Sequence, residues 1–116
     1  GYSFYSDLSS TSDVGGVGIY VRNNLSHGLI QNYKIINSAE CPVENLWLEV
    51  TKNSRKYIIG GIYRHPGHKI NTFLQSLDGL FAQISKCKLP CFIAGDINID
   101  LKNSNTTKKL KCIWII

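Results

Sequence analysis

From Gly16 to Val21 apolar and small or polar positions alternate, with Val17, Ile19 and Val21 on one side and Gly18 and Tyr20 on the other. That is the period of a half-buried strand, and Asn23-Asn24 supplies its stop. A second strand is predicted where Leu46, Leu48 and Val50 alternate with Trp47 and Glu49, and a third from Tyr57 to Tyr63. The polar stretch Lys52-Asn53-Ser54-Arg55 between them predicts an antiparallel hairpin. From Thr72 onward the period lengthens, and Phe73, Leu74, Leu77, Leu80, Phe81 and Ile84 fall on one helical stripe. Thr72 and Gln75 have the spacing of a capping box, Lys86 and Lys88 suit the negative end of the helix dipole, and Pro90 closes the region. The continuous apolar run Cys91-Phe92-Ile93-Ala94 then predicts a strand covered on both faces, ending at Gly95-Asp96. Strand, strand, helix and buried strand together predict a mixed α/β layer structure in which the last strand docks beside the third.

Composition narrows this picture. The 116 residues suffice for one hydrophobic core, so the chain is one domain or part of one, and 43% apolar against 18% charged residues is a globular balance rather than a disordered one. The chain contains no methionine, opens at Gly1-Tyr2 and stops on Ile113-Trp114-Ile115-Ile116, which reads as a piece of a larger protein. No signal-peptide core is recognisable, and the apolar runs are far too short to span a membrane as helices. Residues 102–116 are expected to form a polar surface loop followed by a divergent apolar tail, poorly packed from Lys108 to Ile116. The net charge of +5 favours a polyanionic partner, nucleic acid or an anionic membrane surface, although cations scattered this widely also suit an ordinary solvated surface. Cys41, Cys87, Cys91 and Cys112 fit neither a CxxC pair nor a zinc-finger spacing, which argues against metal bound through sulfur. Cys91 is expected to pack as a small hydrophobe, in keeping with a reduced compartment, while the spacing leaves a secreted disulfide open.

Two segments can carry chemistry. Gly95-Asp96-Ile97-Asn98 places a carboxylate and a carboxamide at the mouth of a buried strand. If the strand continues past Asp96, period two sends both side chains to one side, where they can hold a water and bind a phosphate oxygen. The same residues also suit a simple turn. Tyr63-Arg64-His65-Pro66-Gly67 offers a phenol, a guanidinium and an imidazole at another strand end. That set suits phosphate, and equally an ordinary strand-to-loop exit. His27 and His68 have no evident partner, and no Ser/His/Asp order, Walker loop or GxGxxG is present. Gly15-Gly16-Val17-Gly18 opens a strand without a following helix, which points to close backbone packing rather than a phosphate loop.

Taken in order, Gly15-Gly16-Val17-Gly18-Ile19-Tyr20-Val21-Arg22, Glu44-Asn45-Leu46-Trp47-Leu48-Glu49-Val50, Gly61-Ile62-Tyr63-Arg64-His65-Pro66 and Gly95-Asp96-Ile97-Asn98-Ile99-Asp100-Leu101 resemble the endonuclease/exonuclease/phosphatase superfamily. The nearest likeness is to the endonuclease domain of jockey-like non-LTR retrotransposons. The resemblance covers residues 1–101 as the central part of such a domain. It implies an α/β fold, the αββα four-layer sandwich of the deoxyribonuclease type, incomplete here at both ends. It also implies hydrolysis of a phosphodiester by an activated water with Mg2+ or Mn2+, DNA as partner, a reverse-transcriptase domain in the parent polypeptide, no membrane, and a nuclear or cytoplasmic location. Residue by residue, Asp96 matches the aspartate that orients or deprotonates the water and is the chain's candidate metal ligand. Asn98 matches the phosphate-binding asparagine and Tyr63 the active-site tyrosine. Arg64 and His65 correspond to substrate contacts of the retrotransposon branch, and Ile97 stands where the family usually has phenylalanine. The family's metal-binding glutamate and its Ser-Asp-His block have no counterpart in the chain, so the resemblance predicts a DNA-nicking endonuclease that is inactive as this fragment. A phosphatase of the same fold and a non-catalytic remnant of a mobile element are the alternatives.

Overall fold

The hairpin expected around Lys52 to Arg55 is the spine of the molecule. A computed structural model describes residues 1–8 and 15–99, and in it β4 (Val43–Lys52) and β5 (Arg55–Arg64) pair antiparallel over their full ten residues. Asn53 and Ser54 at the turn both take positive φ, 52° and 63°, the conformation whose twist matches that of the strands it joins. The hairpin is longer than the apolar alternation alone indicates because its outer positions are polar but still register-paired, as in Lys52↔Arg55.

Around this spine the chain builds a four-stranded sheet in the order β3-β4-β5-β6, with β3 (Ser26–Leu29) antiparallel to β4 and β6 (Cys91–Asp96) parallel to β5. The last strand thus docks beside the hairpin's second strand, as the sequence predicts. The connection is α1 (Ile70–Ser85), whose Phe73, Leu77, Leu80 and Ile84 are buried against Trp47, Ile58, Ile62 and Ile93. The helix differs from the expectation at its start: it begins at Ile70, two residues before Thr72, and its N-cap Lys69 makes no side-chain capping bond. Thr72 therefore lies inside the first turn and caps nothing, so the helix is held by its buried stripe rather than by a capping box. Leu74 lies off that stripe and is exposed.

On the other face of the large sheet lies a small antiparallel sheet of β1 (Tyr2–Asp7) and β2 (Val17–Arg22). Val17, Ile19, Val21 and Tyr5 pack there against Leu46, Leu48, Val50 and Ile59, forming a second core. Two strands escape the sequence pattern. β1 alternates aromatic and polar residues on both faces, and β3 is only four residues long with His27 and Gly28 at its centre, so neither shows an apolar stripe. The observed architecture is mixed α/β, with six strands in two sheets and one helix, layered helix, large sheet, small sheet among the described residues. No helix among them is long and apolar enough to cross a membrane. The expectations for residues 102–116, including the tail from residue 108, lie outside the described residues.

Two adjacent glycines of β5 let the three layers close. A Cβ on Gly60 would collide with the Trp47 ring opposite it, and one on Gly61 would collide with Val17 of the small sheet. The close approach anticipated for the glycines before β2 is also present. A Cβ on Gly15 would lie 2.9 Å from the His65 ring and 3.0 Å from that of Tyr63, and one on Gly18 would lie 2.7 Å from Phe4.

Candidate functional site

Period two divides each strand's residues between the two faces of the large sheet. On β4, Glu44 shares the face of Leu46, Leu48 and Val50; on β5, Tyr63 shares that of Ile59 and Gly61; on β6, Asp96 shares that of Ala94. Pairing then aligns them, with Glu44 opposite Tyr63 in the antiparallel register and Tyr63 opposite Asp96 in the parallel one. The result is a row, Glu44–Tyr63–Asp96, across three adjacent strands on the side turned toward the small sheet. Tyr63 and Asp96 line a cleft of about 460 Å3 with Gly16, Gly18 and Gly95.

The strand ends at Asp96, so the simple alternation that would place Asn98 beside it does not apply. One Asp96 oxygen accepts the backbone N–H of Asn98 at 2.9 Å, and Asn98 takes a left-handed φ of 50°. This is an aspartate-centred turn of the kind such residues favour. The Asn98 carboxamide swings back and donates to the Arg64 carbonyl at 2.6 Å, tying the exit of β6 to the end of β5. One of its two amide hydrogens is so committed, and the other has no acceptor among the described residues. Asn98 is thus near Asp96 through a turn and not through strand geometry.

Arg64, expected as a substrate contact, lies on the helix side of the sheet. It follows Tyr63 on the strand and faces the helix, 4% exposed, with its guanidinium 5.8 Å from the centre of the Phe73 ring. It donates to the carbonyls of Ile97 at 3.2 Å, Asn98 at 3.3 Å and His68. All three acceptors belong to the loops leaving β5 and β6, so this cation shapes the rim of the cleft from behind.

His65 returns to the cleft side, but its side chain is only 13% exposed and its Nε2 lies 2.8 Å and 2.7 Å from the two oxygens of Glu44. Glu44 itself is fully buried. The sequence carries a signal for it: a carboxylate on the same face as Leu46, Leu48 and Val50 requires a partner inside the protein. Asn45 was likewise not foreseen. Its carboxamide accepts from Ile35 N at 2.8 Å and Trp47 Nε1 at 2.9 Å and donates to Ile35 O at 2.8 Å, while its backbone N–H donates to Asp7 at 2.8 Å. It braces the start of β4, two positions before the core tryptophan.

Among the described residues no three His, Cys, Asp or Glu side chains stand close enough to hold a metal ion. Asp96 offers one carboxylate, half engaged in its own turn, and Glu44 is sealed against His65. No family model, no curated protein and no solved structure matches the chain.

Proposed function

We propose that this chain is part of a metal-dependent phosphodiesterase domain of the endonuclease/exonuclease/phosphatase kind, and that the parent protein nicks DNA for a non-LTR retrotransposon. The observation that carries the reading is the placement of Tyr63 opposite Asp96 at the ends of neighbouring parallel strands, lining one cleft. The four sequence blocks that suggest the family also contribute to that end of the molecule: Gly15 packs on Tyr63 and His65, Val17 on Gly61, and Glu44 on His65. In the complete domain a second helical layer covers the outer face of the small sheet. That face presents Tyr2, Phe4 and Tyr20, each more than half exposed, with the Phe4 and Tyr20 rings stacked at 4.4 Å.

In this reading Asp96 accepts a hydrogen bond from the attacking water and turns its lone pair toward phosphorus. Tyr63 donates to a non-bridging oxygen, and the second amide hydrogen of Asn98 to another. Magnesium or manganese belongs to the proposal, but the described residues do not by themselves fit a hard divalent cation, which takes about six oxygen ligands. In this reading the remaining ligands come from outside the described residues.

The test is nicking of supercoiled plasmid in magnesium, by the chain alone and by the chain joined to segments carrying a metal-binding glutamate and a Ser-Asp-His block. The joined protein is expected to nick and to stop on chelation, and the chain alone to do neither. Cleavage of inositol phosphates without DNA nicking would replace the endonuclease by a phosphatase, and a folded joined protein inert toward both would sink the proposal.

A further inference from the structure

A fully enclosed carboxylate is unfavourable unless a partner inside the protein compensates the lost water. Glu44 has that partner in His65, and the geometry is specific. Both carboxylate oxygens address the same ring nitrogen, at 2.8 Å and 2.7 Å, so the hydrogen on Nε2 points between them and this tautomer is held in place. Rotating the imidazole away would leave the buried carboxylate without a partner among the described residues. The backbone of His65 is fixed as well, its N–H donating to the Pro42 carbonyl at 3.1 Å.

The ring so held serves as a wall for Tyr63. The two rings stand edge to face, with centres 4.9 Å apart and planes at 83°, the arrangement that aromatic quadrupoles favour. Gly15 closes the same space from the small sheet, at a φ of +106° that other residues rarely adopt and with no room for a Cβ against either ring.

We propose that Glu44 and His65 form a positioning pair that sets the orientation of the Tyr63 phenol in the cleft, an assignment that rests on Tyr63 serving the phosphodiester. A donor that must meet charge developing on a phosphate oxygen is useful only if its direction is fixed before the reaction. Tyr63 is half-buried at the cleft, and the pair fixes it from behind without itself touching substrate. The carboxylate acts on the imidazole, the imidazole on the phenol.

The experiment is ring NMR of the full chain with 13C-labelled tyrosine, the Tyr63 signal being assigned by its loss in Tyr63→Phe. Glu44→Gln and His65→Ala are each expected to shift that signal and to raise the Tyr63 ring-flip rate about threefold to tenfold, the range an edge-to-face contact represents. Leu77→Ala, which opens a cavity on the helix side of the sheet, is expected to leave both unchanged. An unmoved Tyr63 signal in the two variants, or an equal change in Leu77→Ala, overturns the proposal. Should either variant fail to fold, 15N-labelled histidine in the unaltered chain decides: hydrogen on Nε2 of His65 supports the pair, and hydrogen on Nδ1 alone overturns it. None of these readouts needs DNA cleavage, so a failed nicking assay and a failed positioning pair are separately visible.

Discussion

Tyr63 and Asp96 stand opposite each other on β5 and β6, in parallel register and on the face turned toward the small sheet. Arg64, one residue along, passes through to the helix side and is buried. Two neighbours in sequence thus have unrelated tasks: the phenol lines the cleft, and the guanidinium holds the loops that frame it.

The separation gives a first prediction. Arg64→Ala leaves the carbonyls of Ile97, Asn98 and His68 without their donor, at a cost of about 3 kcal/mol. Arg64→Lys should recover only part of this, since an ammonium cannot span three acceptors set around a planar fork. Denaturant midpoints measure the loss. Any of these variants that folds should bind DNA at fixed salt within about twofold of the parent chain, because a buried cation contributes little to phosphate contacts. A large drop in affinity at unchanged stability would restore Arg64 to the substrate surface.

The difference between what the sequence shows and what it hides has a physical basis. β2, the β4–β5 hairpin, the helix and β6 are legible because each has a face or run buried in one of two cores, and burial imposes period. β1 carries aromatic and polar residues on both faces and β3 is only four residues long, so neither shows an apolar period. At the site, Tyr63 and Asp96 are legible as polar residues ending apolar strands. The buried role of Arg64 is not, because strand parity beyond a glycine pair does not reveal which face is covered by a helix. Asn98 departs from the expectation for a different reason: the Asp96 carboxylate takes the Asn98 N–H into a turn, which ends the strand that the expectation required to continue.

Asn45 yields a stability prediction free of any functional reading. Asn45→Ala strips partners from the Ile35 N–H and C=O and from the Trp47 indole, all in the interior. Each orphaned group costs roughly 1–3 kcal/mol, so a total of about 3–5 kcal/mol is expected. Asn45→Asp keeps the acceptor but loses the donor to Ile35 and should also destabilise. A thermal midpoint unchanged in both variants would show that the start of β4 is braced by something else.

Alkaline pH should destabilise the fold. The Tyr33 hydroxyl lies 2.8 Å from Cys87 Sγ, and that bond, followed by burial, pushes its pKa up to about 12 from 10.0. Below pH 10 the folded and unfolded chains are both protonated at this group. Between pH 10 and 12 the unfolded chain loses the proton that the folded chain keeps, so stability falls as pH rises through that window. Burial also raises the Cys41 and Cys91 thiols, Cys41 against a smaller lowering by Arg64, and they act in the same direction from about pH 9 upward. In ultraviolet titration of the folded chain Tyr33 should ionise above the ordinary tyrosine range, and Cys87→Ala should bring it earlier. A Tyr33 ionisation unmoved by Cys87→Ala would contradict the Tyr33–Cys87 bond.

In the proposed DNA-nicking domain the three site residues should differ in weight. Asp96→Ala removes the carboxylate assigned to the water and should lower the nicking rate about a hundredfold to ten-thousandfold, the usual weight of a positioned base. Tyr63→Phe keeps the ring against His65 and removes a single donor, so a loss of about a hundredfold to a thousandfold is expected, with stability unchanged. Asn98→Ala should differ from both, because its carboxamide also ties the β6 exit to the Arg64 carbonyl. It should cost about 1–2 kcal/mol of stability together with rate. DNA affinity should change little in all three and weaken with added salt, since surface cations supply it. Rate constants under saturating DNA, measured beside unfolding midpoints, separate these cases. Asp96→Ala nicking at the parental rate would remove the carboxylate from the chemistry, and with it the reason for placing the reacting phosphate in this cleft.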